Sequence, residues 1–132
     1  MQNGKVPMSE ELGTQKEQRD LKMRTEDFAL RIIKLYCALP RSTVAQVLGK
    51  QVLRSGTSVG ANYREAKRAR SKAEFISKMG DCLKELDETE YWFGLLVKAG
   101  QVDAQRMDGL LDETAQLLAI FASSIKTAKE RD

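Results

Sequence analysis

Histidine is missing from the sequence altogether. That removes the commonest general base, the usual zinc or copper ligand and the Glu-x-x-His pairs of di-iron bundles. Much of enzymology is thereby closed to the chain. Cysteine occurs twice, at Cys37 and Cys82. Two isolated thiols in apolar helical contexts make neither a disulfide framework nor a metal knuckle, and both are expected to be reduced core residues. Proline is also present only twice, and the aromatic share is 6%, which is poor material for sheets built on β-branched and aromatic residues. No apolar run approaches the roughly 20 residues that span a bilayer, and the polar opening MQNGKVPMSEELGTQKEQRD lacks the hydrophobic core of a signal peptide. The expectation is a cytoplasmic protein with no membrane partner. Gly-x-x-x-x-Gly-Lys and Gly-x-Gly-x-x-Gly are both absent, so neither phosphate-cradling loop is expected.

What remains is 132 residues, 42% hydrophobic and 31% charged, a length and mix suited to one domain of long amphipathic helices. Residues 1–20 show no sustained apolar period and read as a flexible arm, leaving residues 21–132 as the folded domain. Thr25 followed by Glu26 and Asp27 predicts a helix cap, after which Phe28, Ile32, Leu35 and Leu39 step by four, three and four until Pro40 stops the helix. Ser42 or Thr43 restarts it, with Gln46 as the return half of a capping box. Val44, Leu48, Val52, Ser55, Val59, Asn62 and Ala66 then keep helical spacing.

A second capping box, Ser71 to Glu74, follows almost at once and predicts a tight hairpin. Phe75, Met79, Cys82, Leu83, Leu86, Phe93 and Val97 line the third helix, which Gly100 ends. Asp103 caps a fourth carrying Met107, Leu111, Leu118, Phe121 and Ile125. The pattern predicts an all-α, antiparallel up-and-down four-helix bundle. In the second helix, Gly49, Gly56 and Gly60 each cost roughly 1 kcal/mol against alanine. Close approach of a neighbouring helix explains them, and a break near residues 55–57 is the alternative.

Charge is strongly segregated although the net value is only +3. Residues 41–78 hold nine cations against Glu65 and Glu74, and Arg64, Lys67, Arg68, Arg70 and Lys72 crowd the end of the second helix and the turn after it. Phosphate contact is the functional reading, with Arg54 on the bundle wall as a weaker candidate and Tyr63 as a stacking ring. The competing reading is a solvated hairpin tip whose cations complement a helix C-terminus. The third helix carries Asp81, Glu85, Asp87, Glu88 and Glu90 against Lys84. Such spacing makes ion pairs more often than a metal or acid–base site, and neither catalytic residues, metal ligands nor cofactors are assigned.

Asn62, Ser55 and Ser58 lie on or beside the apolar stripe of the second helix. A buried amide left unbonded costs about 1–3 kcal/mol, so Asn62 is expected to reach Glu88, Thr89 or Glu90 across the hairpin and set its register. The run Tyr91-Trp92-Phe93-Gly94-Leu95-Leu96-Val97 is apolar around the whole helix, more than one buried stripe requires. Tyr91, Trp92 and Leu95 are therefore expected at a homo-oligomer interface.

Three linked blocks carry a family resemblance: Arg54-Ser55-Gly56-Thr57-Ser58-Val59-Gly60-Ala61-Asn62, Glu65-Ala66-Lys67-Arg68-Ala69-Arg70-Ser71-Lys72-Ala73-Glu74-Phe75, and Leu86-Asp87-Glu88-Thr89-Glu90-Tyr91-Trp92. Over roughly residues 25 to 128 the chain resembles the bacterial four-helix bundle proteins first named for intervening sequences in 23S rRNA genes. Gly60 stands where many relatives carry proline, and Ala66 where many carry glycine. The resemblance implies a non-catalytic up-and-down bundle that in some relatives forms a ring-shaped homopentamer with a basic surface. A related branch looks like the accessory protein that partners the reverse transcriptase of diversity-generating retroelements. RNA, DNA or a reverse transcriptase are the partners it implies. The alternative is a homo-oligomeric scaffold acting through protein contacts alone.

Overall fold

Connections of four or five residues leave successive helices no choice but to fold back on one another. In the computed structural model, which describes residues 15–131 with side chains from Leu21 onward, they do so three times. The helices are α1 (Gln15–Ala38), α2 (Thr43–Lys67), α3 (Lys72–Lys98) and α4 (Ala104–Lys129), with no strand among the described residues. The result is the expected all-α, antiparallel four-helix bundle. The α2–α3 hairpin forms its centre, α1 packs on α2, α4 packs on α3, and α1 and α4 scarcely meet. A cross-link between those outer helices comes from Arg24, whose Nε and Nη2 donate to Glu113 at 3.0 and 2.7 Å. Most of the arm expected over residues 1–20, residues 1–14, lies outside the described residues.

Helix ends follow the sequence in most places. Ser42 caps α2 by accepting from the Ala45 amide at 3.1 Å, while Gln46 reaches past the cap to donate to the Pro40 carbonyl at 2.9 Å. Ser71 caps α3 by accepting from the Glu74 amide, and the Glu74 carboxylate accepts in turn from the Arg70 amide at 2.9 Å. Asp103 accepts from the Gln105 amide to start α4. Gly100 takes φ +71°, with its amide bonded to the Val97 carbonyl and that of Gln101 to Leu96. That pair of bonds is the Schellman stop, where a residue without Cβ avoids left-handed strain.

Two expectations need correction, and one alternative is settled. Thr25 does not cap α1, which begins ten residues earlier. It is buried within the helix, its hydroxyl donating to the Leu21 carbonyl at 2.7 Å. Leu21 carries the Phe28 stripe one further heptad, a continuation masked in the sequence by charged residues on the solvated face. Cys82 is buried as expected, but Cys37 is exposed, because it lies on the side of α1 opposite Ile32 and Leu39. Helix α2 is also unbroken through residues 55–57. A Cβ on Gly56 would stand 2.1 Å from Ile32 Cδ1, and one on Gly49 2.5 Å from Leu39 Cδ1, so these glycines admit α1.

Candidate nucleic-acid interface

A run of cations at the end of α2 is locally stable because the last carbonyls of a helix carry partial negative charge. Arg64 and Lys67 occupy the last turn, Arg68 is the C-cap, and Arg70 and Lys72 flank the Ser71 cap of α3. Arg64, Lys67, Arg68, Arg70 and Lys72 are all exposed. The fold brings these five sequence candidates together at one end of the bundle. Lys78, one turn further along α3, is bound to Glu65 at 2.6 Å, and that contact raises its pKa.

The antiparallel topology adds residues that the reading of local clusters missed. Helix α4 runs back to the same end and carries Lys126 and Lys129 in its last turn, with Arg131 just beyond. The signal was in the sequence as the rise in charge after Ile125. Only the antiparallel course of the helices shows that 64–72 and 126–131 lie at the same end of the bundle.

Tyr63 is not a stacking ring. It is 1% exposed and sits edge-on to Phe121 with ring centroids 5.8 Å apart. Burial first, and Cys82 second, push its hydroxyl up to about 12. Arg54 lies ten residues before Arg64, about 15 Å along the helix axis. Its guanidinium is engaged by Gln51 on its own helix and by Glu85 and Glu88 on α3, so it belongs to the hairpin wall and stands apart from the basic end.

The polar contact that fixes hairpin register is made by Ser55 and Thr89, whose side-chain oxygens lie 2.7 Å apart in the core. Along antiparallel helices this pairing sets Asn62, seven residues on, opposite Cys82, well short of Glu88 and Glu90. The Cys82 thiol points at the Val59 carbonyl, and its pKa is raised to about 12, mostly by burial and next by Asp81. Acids of α3 do not gather: among the described residues no group of three or more His, Cys, Asp or Glu could hold a metal ion. An open groove between α3 and α4 is lined mainly by small and apolar residues, Gly80, Leu83, Leu118, Ala119 and Ala122, with Lys84 and Asp87 at its wall.

Towards the opposite end, Tyr91 is 59% exposed and edge-on to Trp92, with ring centroids 5.0 Å apart. Trp92 and Leu95 are half-buried, and Val44 and Val47 at the start of α2 are exposed. Ser42 donates to Gln101 at 2.6 Å, which ties the start of α2 to the end of α3. A second apolar stripe, Met23, Leu30 and Ile33, runs along the outer face of α1. No described helix is long and apolar enough to cross a membrane.

Residues 17–123 match the family of 23S rRNA-intervening sequence proteins. The chain is also similar to a crystal structure from Bacteroides thetaiotaomicron, a protein of unknown function of the S23 ribosomal protein family. The TM-score is 0.78 at 38% identity, over 83% of this chain and 97% of that one. Among curated proteins no relative matches.

Proposed function

The chain belongs to the family of 23S rRNA-intervening sequence proteins, and on that footing we propose a non-catalytic, oligomeric helical-bundle module that binds nucleic acid, or a nucleic-acid enzyme such as a reverse transcriptase, through its basic end. The observation that carries this reading is the convergence of Arg64, Lys67, Arg68, Arg70 and Lys72 with Lys126 and Lys129 at one end of the bundle. Helix dipoles account for one or two cations at a C-terminus, favouring each by about 0.3–1 kcal/mol. They give no reason for further cations in the turn and at the start of α3, where a helix N-terminus favours acids. A surface that gathers phosphates accounts for both.

Self-association rests on a different feature. Tyr91 on α3, Val44 and Val47 on α2, and Met23, Leu30 and Ile33 on α1 are large apolar side chains left 42–67% exposed. They occupy different faces, so a contact joining one to another is heterologous and closes into a ring when the rotation permits. This supports a homo-oligomer, with the pentamer of some relatives as the reference form. The scaffold reading, in which the module acts through protein contacts alone, draws on the same faces.

Charge reversal separates the two. The double variant Arg68→Glu, Arg70→Glu is expected to release structured RNA and duplex DNA while sedimenting as the unaltered oligomer. Dissociation of the assembly, with no nucleic acid bound by the starting protein, establishes the scaffold reading instead.

A further inference from the structure

Every aromatic side chain of the sequence lies among the described residues. Phe28, Tyr63, Phe93 and Phe121 are fully buried. Phe75 and Tyr36 are half-buried and packed on the core. Tyr91 and Trp92 sit in the far half of α3, about 28 Å of helix from Lys72. The basic end therefore presents guanidinium and ammonium groups with a single aromatic ring near them, Phe75, and that ring is half-buried and packed on the core. Proteins that hold single strands combine such charge with rings on which unpaired bases stack. Here the charge is present without a fully exposed ring.

The arrangement of that charge is equally selective. In a bundle whose neighbouring axes lie 8–10 Å apart, diagonal helices are separated by roughly 11–14 Å. α2 and α4 stand on such a diagonal, in contact through Tyr63 and Phe121 across the core. The helices that carry the cation clusters, Arg64 to Arg68 and Lys126 to Lys129, thus have axes about one groove width apart, the major groove of B-form DNA being about 12 Å wide. Lys72 and Arg70 lie between them at the start of α3. Two clusters carried on helices at that spacing can reach two phosphate backbones flanking a groove.

Building on the proposed nucleic-acid role, we infer that the basic end recognises the paired backbones of a double helix, with α2 and the α3 start on one strand and α4 on the other. Phosphate is the shared chemistry of RNA and DNA duplexes. The A-form and B-form differ in groove shape, so binding strength tells which of them fits.

The test uses the full chain and three probes of equal length: a blunt RNA duplex, a blunt DNA duplex of the same sequence, and an unstructured polyuridine strand, each titrated at several salt concentrations. Both duplexes, or the better-fitting one, are expected to bind at least about tenfold tighter than polyuridine, with log–log salt slopes counting the phosphates engaged. Lys126→Glu with Lys129→Glu and, separately, Arg68→Glu with Arg70→Glu are each expected to weaken duplex binding by about tenfold or more and to flatten the slope. Polyuridine bound as tightly as duplex overturns this inference and leaves the nucleic-acid role standing. Duplex binding indifferent to the α4 variant overturns the two-strand arrangement. No binding of any probe overturns the nucleic-acid role itself.

Discussion

Ser55 on α2 and Thr89 on α3 share a hydrogen bond of 2.7 Å at the sealed centre of the hairpin, and the direction of that bond follows from its surroundings. Thr89 donates its one hydroxyl hydrogen to the Glu85 carbonyl at 2.7 Å, so Ser55 must be the donor in the pair. Removing the acceptor alone leaves a buried donor stranded, at about 1–3 kcal/mol.

Thr89→Val keeps the shape of the side chain and removes the acceptor, so it is expected to destabilise by about 1–3 kcal/mol. Adding Ser55→Ala removes the stranded donor and should recover part of the loss. Urea unfolding of the two single variants and the double variant gives the coupling. Additive losses would show that the bond contributes nothing of its own.

Gly56→Ala sets two effects against each other. Alanine gains about 1 kcal/mol of helix propensity, but its Cβ lands 2.1 Å from Ile32 Cδ1, a stiff and fully buried side chain. Overpacking of this kind costs about 1–3 kcal/mol, so net destabilisation is expected. Ile32→Val removes the clashing methyl and should make Gly56→Ala better tolerated. Gly94, where a Cβ meets nothing within 4 Å, is the control: Gly94→Ala should stabilise by up to about 1 kcal/mol.

Alkaline pH should weaken the fold from within. Tyr63 is raised from 10.0 to about 12 and Cys82 from 9.0 to about 12, in both cases chiefly by burial. Raised values in the folded state mean that the unfolded chain gives up these protons first. The stability they support is therefore complete below about pH 9 and is lost as pH climbs towards 12, by about 1.4 kcal/mol for every tenfold difference in proton affinity between the folded and unfolded chain. Unfolding midpoints measured from about pH 8 to 11 should fall above pH 9. The Tyr63→Phe variant should lose less stability above pH 10 than the unaltered chain.

Arg54 provides a control for the basic end. Its contacts with Glu85 and Glu88 are half-exposed, and exposed pairs contribute about 0–1 kcal/mol. Arg54→Gln should shift the unfolding midpoint little and leave nucleic-acid retention unchanged. A loss of retention equal to that of Arg68→Glu would place the binding surface on the hairpin wall.

The helices and their ends were legible in the sequence wherever an apolar period met a capping residue, as at Ser71, Asp103 and Gly100. They were illegible at the start of α1, where the buried position between Leu21 and Phe28 is held by a polar residue, Thr25, that looks like a cap. Half of the basic end was equally plain, because Arg64 to Lys72 are contiguous. Lys126 and Lys129 were not, because only antiparallel pairing brings them beside residues some sixty positions away. Tyr63 was misplaced for a related reason: a single helical turn separates Val59 from Tyr63, and the ring follows the core stripe, whereas neighbouring arginines made it look like surface. Ser55 outranked Asn62 as the register residue because the hairpin tip at Ser71 fixes which positions face each other.

Because α1 and α4 hardly touch, the bundle is in effect one hairpin with a helix leaning against each leg. Backbone amides at the centre of the α2–α3 hairpin should then be the slowest to exchange with solvent, whereas an outer helix can lift alone, α1 only by baring Phe28, Ile32 and Leu39 together with the Gly49–Gly56–Gly60 track. The glycines let α1 settle closely, so that Ile32 and Leu39 occupy the space that side chains on α2 would otherwise take. A chain built this way has its rigid element at the hairpin that carries the basic tip, with one outer helix able to shift on either flank without disturbing it.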